Sequence, residues 1–322
     1  MDTHRPELAL PRLQRALAVD GSDPHTLLEM GQWHLKFGEK PEGYAYLRSA
    51  VEADVAFEDP YYVIASELQL EGDYRRSLEA AKVAIDLFPR SSRFYRLAGI
   101  AYGKLKAYQK EVEYLQKAVD LAPHDSRALI ALGNFYWRNQ ERDTAATYYE
   151  RARAISPAEL DVRVLLAGYY FEEGRLSEMK ACIDEAVLLA PESSVITELF
   201  ANYSLEMGNR AFRSSEFGKA EGFYLDSLEN APEAMEANVN LTMLQLKTRQ
   251  LDKARARLEG LIEHNKELDF AYPLLAAVAL EAGKVDYARE LIRVGMGLVD
   301  FRSEARSKVL FDTVNRQLTA ID

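Results

Sequence analysis

Four prolines recur at strict intervals of 34 residues, at Pro89, Pro123, Pro157 and Pro191. A fixed period of about 20 to 50 residues is typical of proteins built from stacked structural repeats. Small residues stand 24 positions before these prolines, at Ala65, Gly99, Gly133 and Ala167. A second set of small residues stands five positions before them, at Ala84, Ala118, Ala152 and Ala186. Small side chains allow helices to approach closely, so the period predicts a repeated helix–helix contact.

Each repeat reads as a pair of helices. Apolar residues recur at helical intervals over residues 95–105 and again over 112–121. Turn residues such as Gly72-Asp73 and Gly174-Arg175 separate the two helices of a pair. Each proline ends a second helix, because proline cannot continue one. The sequence therefore predicts an all-α fold, an α-solenoid of stacked helix pairs.

The residues around Gly133 carry a family resemblance. Leu132-Gly133-Asn134-Phe135-Tyr136 is followed by Ala145, Tyr148-Tyr149, Ala152 and Pro157. This pattern resembles the tetratricopeptide repeat family, and the resemblance extends over nearly the whole chain. It implies a right-handed superhelix of about eight helix pairs plus terminal helices. It also implies that first helices line a concave groove and that the protein is a non-enzymatic scaffold for protein–protein interaction.

The domain organisation follows from extending the same frame. We expect one solenoid over residues 1–322, with about eight repeats over 22–300 and a capping helix over 301–322. Pro232 follows Pro191 by 41 residues, which places a seven-residue insert near 194–200. Residues 1–21 form either a native cap helix or half of a repeat cut from a longer array. In the second case the open start would favour end-to-end self-association.

Composition excludes several classes of protein. The chain has 40 basic and 51 acidic residues, a formal net charge of −11, which disfavours nucleic acid and anionic membrane surfaces as partners. No apolar run reaches the ~18 residues of a membrane span. The single cysteine, Cys182, fits a reducing compartment, so we expect a cytoplasmic protein or a soluble excerpt of a longer one.

No catalytic signature is present in the sequence. It contains no phosphate-binding loop, no dinucleotide fingerprint and no nucleophile elbow. The five histidines are scattered, and none has a second ligand at metal-binding spacing. We therefore expect no enzyme activity, no cofactor and no metal site in this chain.

By the family resemblance, the first helices of the third and fourth repeats supply a cationic part of the groove. The candidate residues there are Arg93, Arg96, Lys104, Arg127, Asn134, Trp137 and Arg138. These first-helix positions hold five cations and no carboxylate, and arginine suits bidentate binding of carboxylates. The alternative is that these charges are solvated or paired with acids on neighbouring helices.

Further along the chain the same face reads as apolar. The candidate contact residues are Phe171, Leu205, Phe212 and Met243, with Val164, Val239, Leu246 and Phe270 at related positions. A contiguous exposed apolar surface marks a contact site, whereas buried residues at this spacing would only pack helices together. Both readings are open from the sequence.

A subclass of the same family binds the C-terminal carboxylate of chaperone peptides. Its hallmark occurs as Gly208-Asn209-Arg210-Ala211, and its second asparagine matches Asn240. Its cationic positions hold Leu205, Phe270 and Leu274 instead, so a carboxylate clamp is not expected. Asn209 and Asn240 either bond a peptide backbone or reflect the repeat consensus.

The sequence thus favours a scaffold that binds a peptide or helix segment of a partner in its groove. The partner would be a protein with acidic and apolar residues, with no nucleic acid and no direct membrane insertion. One alternative is an assembly subunit of a secretion, export or cell-surface polymer complex that uses its convex face or ends. Another is the substrate-recruiting region of a larger enzyme.

Overall fold

The computed structural model describes residues 6–298 and 305–320, and within them every regular element is an α-helix. This confirms the predicted all-α solenoid class. The helices are α1 Pro6–Val19, α2 Pro24–Phe37, α3 Lys40–Ala53, α4 Glu58–Leu70, α5 Tyr74–Leu87, α6 Ser92–Lys104, α7 Tyr108–Leu121, α8 Ser126–Arg138 and α9 Arg142–Ile155. They continue as α10 Leu160–Glu172, α11 Leu176–Leu189, α12 Ser194–Arg213, α13 Phe217–Asn230, α14 Met235–Lys247, α15 Leu251–His264, α16 Ala271–Glu281, α17 Val285–Met296 and α18 Ala305–Thr319.

The chain divides into two compact units between Val162 and Arg163. Even-numbered helices from α2 to α16 are the first helices of pairs, and the odd-numbered helices that follow them are the second helices. Helix α12 is 20 residues long, and residues 194–200 form its first two turns. The predicted repeat boundaries and the single-solenoid assignment stay predictions, and residues 301–304 of the expected cap lie outside the described part.

The turn inside each pair from α4 to α17 contains one residue with positive φ. These residues are Gly72, Lys106, Gln140, Gly174, Ser215, Arg249 and Gly283. The residue after each donates its backbone N–H to a carbonyl five positions earlier, as Ala107 does to Tyr102 at 2.8 Å. This bond closes a Schellman motif, which satisfies the last carbonyls of the first helix. The turns are spaced by 34 residues except for one interval of 41, because the longer α12 intervenes.

Small residues at the centre of each first helix allow the helices of a pair to pack closely. A Cβ atom built on Gly133 would lie 2.5 Å from a ring carbon of Tyr149, and one on Gly99 would lie 2.7 Å from Leu115. Glycine therefore occupies these positions because the partner side chain fills the space of a Cβ atom. The predicted close-packing role of Gly99 and Gly133 agrees with these distances.

Each unit has its own buried core. In the first unit Phe94, Leu97 and Tyr102 pack with small buried residues of α4 and α5. In the second unit Leu275 and Ile292 pack against side chains of α18. Phe270 is 5% exposed and belongs to this core, so of the two readings that the sequence left open the structure favours helix packing. Its helix begins with an apolar run that is buried on nearly all sides.

None of the helices in the described segments is both long enough and apolar enough to cross a membrane.

Candidate functional site

A cavity of about 510 Å³ opens on the first helices α6 and α8 of the first unit. We call it the cation pocket. Its lining consists of Arg96, Ile100, Lys104, Glu111, Arg127, Ile130, Ala131, Asn134, Trp137, Arg138, Glu159 and Asp161. It brings together six of the seven residues that the sequence suggested for the cationic part of the groove.

Arg96 is the buried cation of this pocket. Its residue is only 9% exposed, and its guanidinium donates one hydrogen bond, from Nη2 to the Tyr62 hydroxyl at 3.2 Å. Its Nε is buried and has no hydrogen-bond partner. A buried guanidinium is ordinarily paired with a carboxylate, because desolvating an unpaired charge is costly. Arg96 therefore lines the cavity as a buried cation that has no ion pair with any described residue.

Glu111 of α7 is a buried carboxylate at the edge of the same pocket, and it is 2% exposed. It fits there because the neighbouring residue on α6 is Gly103, where a Cβ atom would lie 2.4 Å from the Glu111 carboxyl carbon. One oxygen accepts a hydrogen bond from Arg138, and the other is buried without a partner. Burial raises the pKa of Glu111, although Arg138 and Lys104 act in the opposite direction.

Lys104 and Arg127 lie at the cavity with no ion pair to any described residue. Trp137 presents an aromatic surface, and the Arg142 guanidinium covers one face of its ring, 3.9 Å from the centroid. Asn134 accepts a hydrogen bond from the Tyr149 hydroxyl at 2.7 Å, which fixes its amide. The pocket therefore combines available cations with an ordered aromatic and amide wall.

Arg93 lies outside the lining of the cation pocket. Its guanidinium pairs with Glu58 at 2.6 Å and with Asp59 at 2.8 Å, both on the preceding first helix. The sequence left open whether the cations of the groove pair with acids on neighbouring helices. For Arg93 the structure shows such a pairing. Its role is to tie α6 to α4.

Three carboxylates of the pocket were missed by sequence reasoning, which had found none among the first-helix positions. Glu111 comes from a second helix, and Glu159 and Asp161 come from the region where α10 begins. Those first-helix positions indeed hold no carboxylate, and the three acids reach the pocket from elsewhere. Gly103 was the available signal, because a glycine late in a first helix leaves room for a side chain of the next helix.

A second cavity of about 340 Å³ lies in the second unit and is called the asparagine pocket. It is lined by Glu206, Asn209, Phe212, Arg213, Tyr224, Asn240 and Met243. The side-chain carbonyl of Asn209 accepts hydrogen bonds from the Asn240 side-chain amide at 2.8 Å and from the Tyr224 hydroxyl at 3.0 Å. The two asparagines that the sequence singled out are thus bonded to each other and orient one another.

The remaining apolar candidates divide between surface and interior. Met243 is 56% exposed in the asparagine pocket, and Phe212 lines the same cavity. Leu205 packs against the core formed by Ala211, Ala220 and Leu241. Phe171 is exposed but lines neither pocket. The structure therefore brings Phe212 and Met243 together with the asparagines, and it does not add Leu205 or Phe171 to them.

Stacked helix pairs with open polar pockets on their first helices define a helical-repeat binding protein. The profile of the family described as tetratricopeptide repeat matches residues 62–126 and 130–178. This match covers about a third of the chain. Together with the 34-residue period and the helix pairs it supports a tetratricopeptide repeat protein, a fold that implies a protein–protein interaction scaffold.

Solved structures show the same fold. The structure of Pseudomonas aeruginosa pilF aligns with a TM-score of 0.53 at 18% identity, covering 66% of this chain and 94% of that one. The human IFIT1 dimer with m7Gppp-AAAA aligns with a TM-score of 0.51 at 17% identity, covering 91% of this chain and 68% of that one. At these sequence identities the alignments support a shared fold and no shared function. No curated protein matches the chain in sequence.

Proposed function

We propose that this protein is a non-catalytic scaffold that binds an acidic segment of a partner protein in the cation pocket. The observation that carries the proposal is the set of three cations, Arg96, Lys104 and Arg127, which line one cavity without an ion pair. Carboxylates of a partner would supply the missing counter-charges. The proposal includes a cytoplasmic location, which the single cysteine favours.

The surroundings of these cations favour a peptide over a free anion. Ile100 and Ile130 add apolar surface to the cavity, and Trp137 adds an aromatic edge. A segment that places an acidic residue beside a bulky apolar one would contact both kinds of wall. Arg96 would contribute most to affinity, because a charge pair shielded from water is screened less by salt than an exposed pair.

Protein fits this pocket better than nucleic acid does. Glu111, Glu159 and Asp161 share the lining, and the whole chain has a formal charge of −11. A continuous row of phosphates would meet these carboxylates, whereas a peptide can alternate its charges. The RNA ligand of the human IFIT1 structure belongs to that protein, and 17% identity gives no ground for transferring it.

The asparagine pocket would hold a second segment of the partner. Asn240 donates one hydrogen bond from its side-chain amide to Asn209. Its second amide N–H and its side-chain carbonyl are therefore available to a peptide backbone. Met243 and Phe212 supply adaptable apolar surface beside them. We therefore expect recognition there to depend on backbone and shape more than on charge.

Trp137 offers a direct test of the cation pocket. The chain has two tryptophans, so a Trp33→Phe background makes Trp137 the only tryptophan that reports on binding. The probe is a peptide of about a dozen residues with three consecutive glutamates next to two leucines, and its matched control has glutamines instead. We expect the acidic peptide to change Trp137 emission and the glutamine peptide to bind at least about tenfold more weakly.

Variants of the protein test whether the acidic peptide binds in the cation pocket. Arg96→Gln and Arg127→Gln should each weaken binding of the acidic peptide by about threefold to tenfold. Arg90→Gln is the charge-matched control, since Arg90 is exposed in the loop between α5 and α6. Equal affinities for Arg96→Gln, Arg127→Gln and Arg90→Gln would exclude the cation pocket as the binding site.

A further inference from the structure

A second groove runs between the second helices α3 and α5, with α4 as its floor. It consists of two cavities of about 620 and 250 Å³ that share Arg48 and Ile64 and are therefore continuous. None of its lining residues belongs to the cation pocket or to the asparagine pocket. The groove thus lies outside the surface assigned to the proposed function.

One end of this groove is basic. Lys40, Arg48 and Arg76 line it, and Glu71 pairs with Lys40 at 2.9 Å. Arg48 makes no ion pair to any described residue, and the Tyr44 hydroxyl is buried beside the Glu71 carboxylate. Burial, with this carboxylate, raises the pKa of Tyr44 to about 12, so the hydroxyl stays protonated at neutral pH.

The other end of the groove is apolar. Val51 of α3, Tyr61 of α4, and Ala80 and Val83 of α5 line the smaller cavity. Val83 is 55% exposed, and Ile64 connects this end to the basic end. Glu52 stands at this apolar end, so the charge along the groove changes from basic to acidic. Exposed apolar surface bordered by charge is characteristic of a contact site for another protein.

The distance between the two ends of the groove favours a helical partner segment over an extended one. Tyr44 and Val51 are seven residues apart on α3, which corresponds to a rise of about 10.5 Å. Residues i and i+7 of a partner helix share one face at this distance. Same-face residues of an extended strand repeat at about 6.7 Å and 13 Å, so a strand would miss one of the two ends.

We propose that the α3–α5 groove docks an amphipathic helix of a partner protein. This helix carries a carboxylate opposite Tyr44 and Arg48 and a bulky apolar side chain seven residues away, opposite Val51 and Val83. The carboxylate supplies the counter-charge that Arg48 lacks. The apolar side chain covers Val83. Such helix-in-groove binding depends on anchor side chains at positions i, i+4 and i+7 of the partner helix.

The test uses a labelled, alanine-based helical peptide of about 14 residues, because shorter helices are marginal in water. It carries glutamate at i and leucine at i+4 and i+7. One matched peptide has glutamine at i, and another has both leucines moved by two positions, off the binding face. Fluorescence anisotropy with the full chain should rank the designed peptide tightest. Failure to bind at about 100 μM would overturn the proposed partner chemistry.

Matched variants of the protein assign the binding to the groove. Arg76→Gln should weaken the designed peptide by about threefold to fivefold, whereas Arg75→Gln, one position away and outside the groove, should not. Val83→Asn should weaken it about tenfold, and Val294→Asn, an exposed valine on α17, is its control. These positions are exposed, so melting curves should stay unchanged.

Three outcomes would contradict the proposal. Unchanged affinity in both Arg76→Gln and Val83→Asn would exclude the groove, and weakening by Arg127→Gln would move the peptide to the cation pocket. Self-association of the protein that Val83→Asn abolishes would instead place a second copy in the groove. The cation-pocket experiment uses different residues and a different peptide, so either proposal can fail without the other.

Discussion

At the scale of single residues, this fold depends on pairs of positions sixteen residues apart. Glycine at the centre of a first helix faces a large side chain of the second helix, as in Gly99 with Leu115, Gly133 with Tyr149 and Gly208 with Tyr224. Where the first position is alanine, at Ala65 and Ala167, the second is Ala81 or Ile183, and all four are fully buried. A small first residue thus recurs while the second residue varies in size, and the interior is filled in each case.

Gly133→Leu should destabilise the protein by roughly 1–3 kcal/mol, because a larger side chain would collide with Tyr149 and with the Ala145 carbonyl. The matched control is Gly222→Leu on the exposed side of α13, where an added Cβ atom meets nothing within 4 Å. There the better helix propensity of leucine should leave stability unchanged or raise it by up to ~1 kcal/mol. Urea unfolding of both variants measures the difference, and equal effects would refute the packing register.

Glu111→Gln should make the protein more stable than wild type at pH 7, with the difference disappearing near pH 4. The pKa of Glu111 in the folded state is raised above 4.5 by burial, so the folded protein binds this proton more tightly than the unfolded chain. The stability that Glu111 contributes is complete below the unfolded pKa and is lost as the pH rises through the folded pKa.

Glutamine keeps a carbonyl acceptor for Arg138 and carries no buried charge. Denaturant unfolding at pH 4, 5, 6 and 7 provides the comparison. A variant that is less stable than wild type at pH 7 would mean that the ion pair with Arg138 outweighs the cost of burying the carboxylate.

At the scale of helices and turns, a left-handed residue ends the first helix of each pair from α4 to α16. Glycine occupies three of these seven positions, and Lys106, Gln140, Ser215 and Arg249 occupy the others. A non-glycine residue costs about 1 kcal/mol or more in this conformation. The Schellman hydrogen bonds and the packing of both helices hold these residues there nevertheless.

Lys106→Gly should therefore stabilise the protein by about 0.5–1 kcal/mol, since relief of the left-handed strain exceeds the added entropy of the unfolded chain. Gly72→Ala at the equivalent turn should do the opposite, because φ there is 80°. Thermal melting of both variants is the measurement. Destabilisation by Lys106→Gly would show that its side chain contributes more than its backbone strain costs.

At the scale of the whole molecule, the net charge and the local charge act in opposite directions on an acidic partner. The chain as a whole would repel it with a formal charge of −11, while under the proposed function the cation pocket would attract it. Salt shortens the range of the general repulsion, since the Debye length is about 30 Å at 0.01 M salt and about 8 Å at 0.15 M. Attraction by the pocket is short in range and is strongest once the partner is bound.

Adding salt should weaken binding of the acidic peptide to the wild-type protein, because its charge pairs in the pocket are screened. In the triple variant Arg96→Gln, Lys104→Gln and Arg127→Gln the sign should reverse. Residual binding would then strengthen with salt, since only the general repulsion is left to be screened. Titrations followed by Trp137 fluorescence between 0.01 and 0.15 M salt decide this. A triple variant that still loses affinity with salt would place the attracting cations elsewhere.

The candidate site was predictable only where first helices alone supply it. Arg96, Arg127 and Trp137 were found because the family resemblance places first helices at the groove, and the structure brings them to one cavity. Glu111 was not found, since its position depends on a second helix passing close to Gly103. Arg93 was assigned to the groove, whereas its pairing with Glu58 and Asp59 depends on the packing of α6 beside α4.

The sequence by itself determined the repeat, the all-helical class and the close contacts at Gly99 and Gly133. These depend on local spacing, which a 34-residue period displays directly. Only the tertiary structure decided which charges of the groove are paired and which are available, because the ion pairs of Arg93 and Arg138 form between helices of different repeats. It also decided that Phe270 is core, that Lys106 adopts a left-handed conformation, and that α3 and α5 border a groove. Each of these depends on how neighbouring helices fill the space around a residue, which the spacing of residues along one helix does not record.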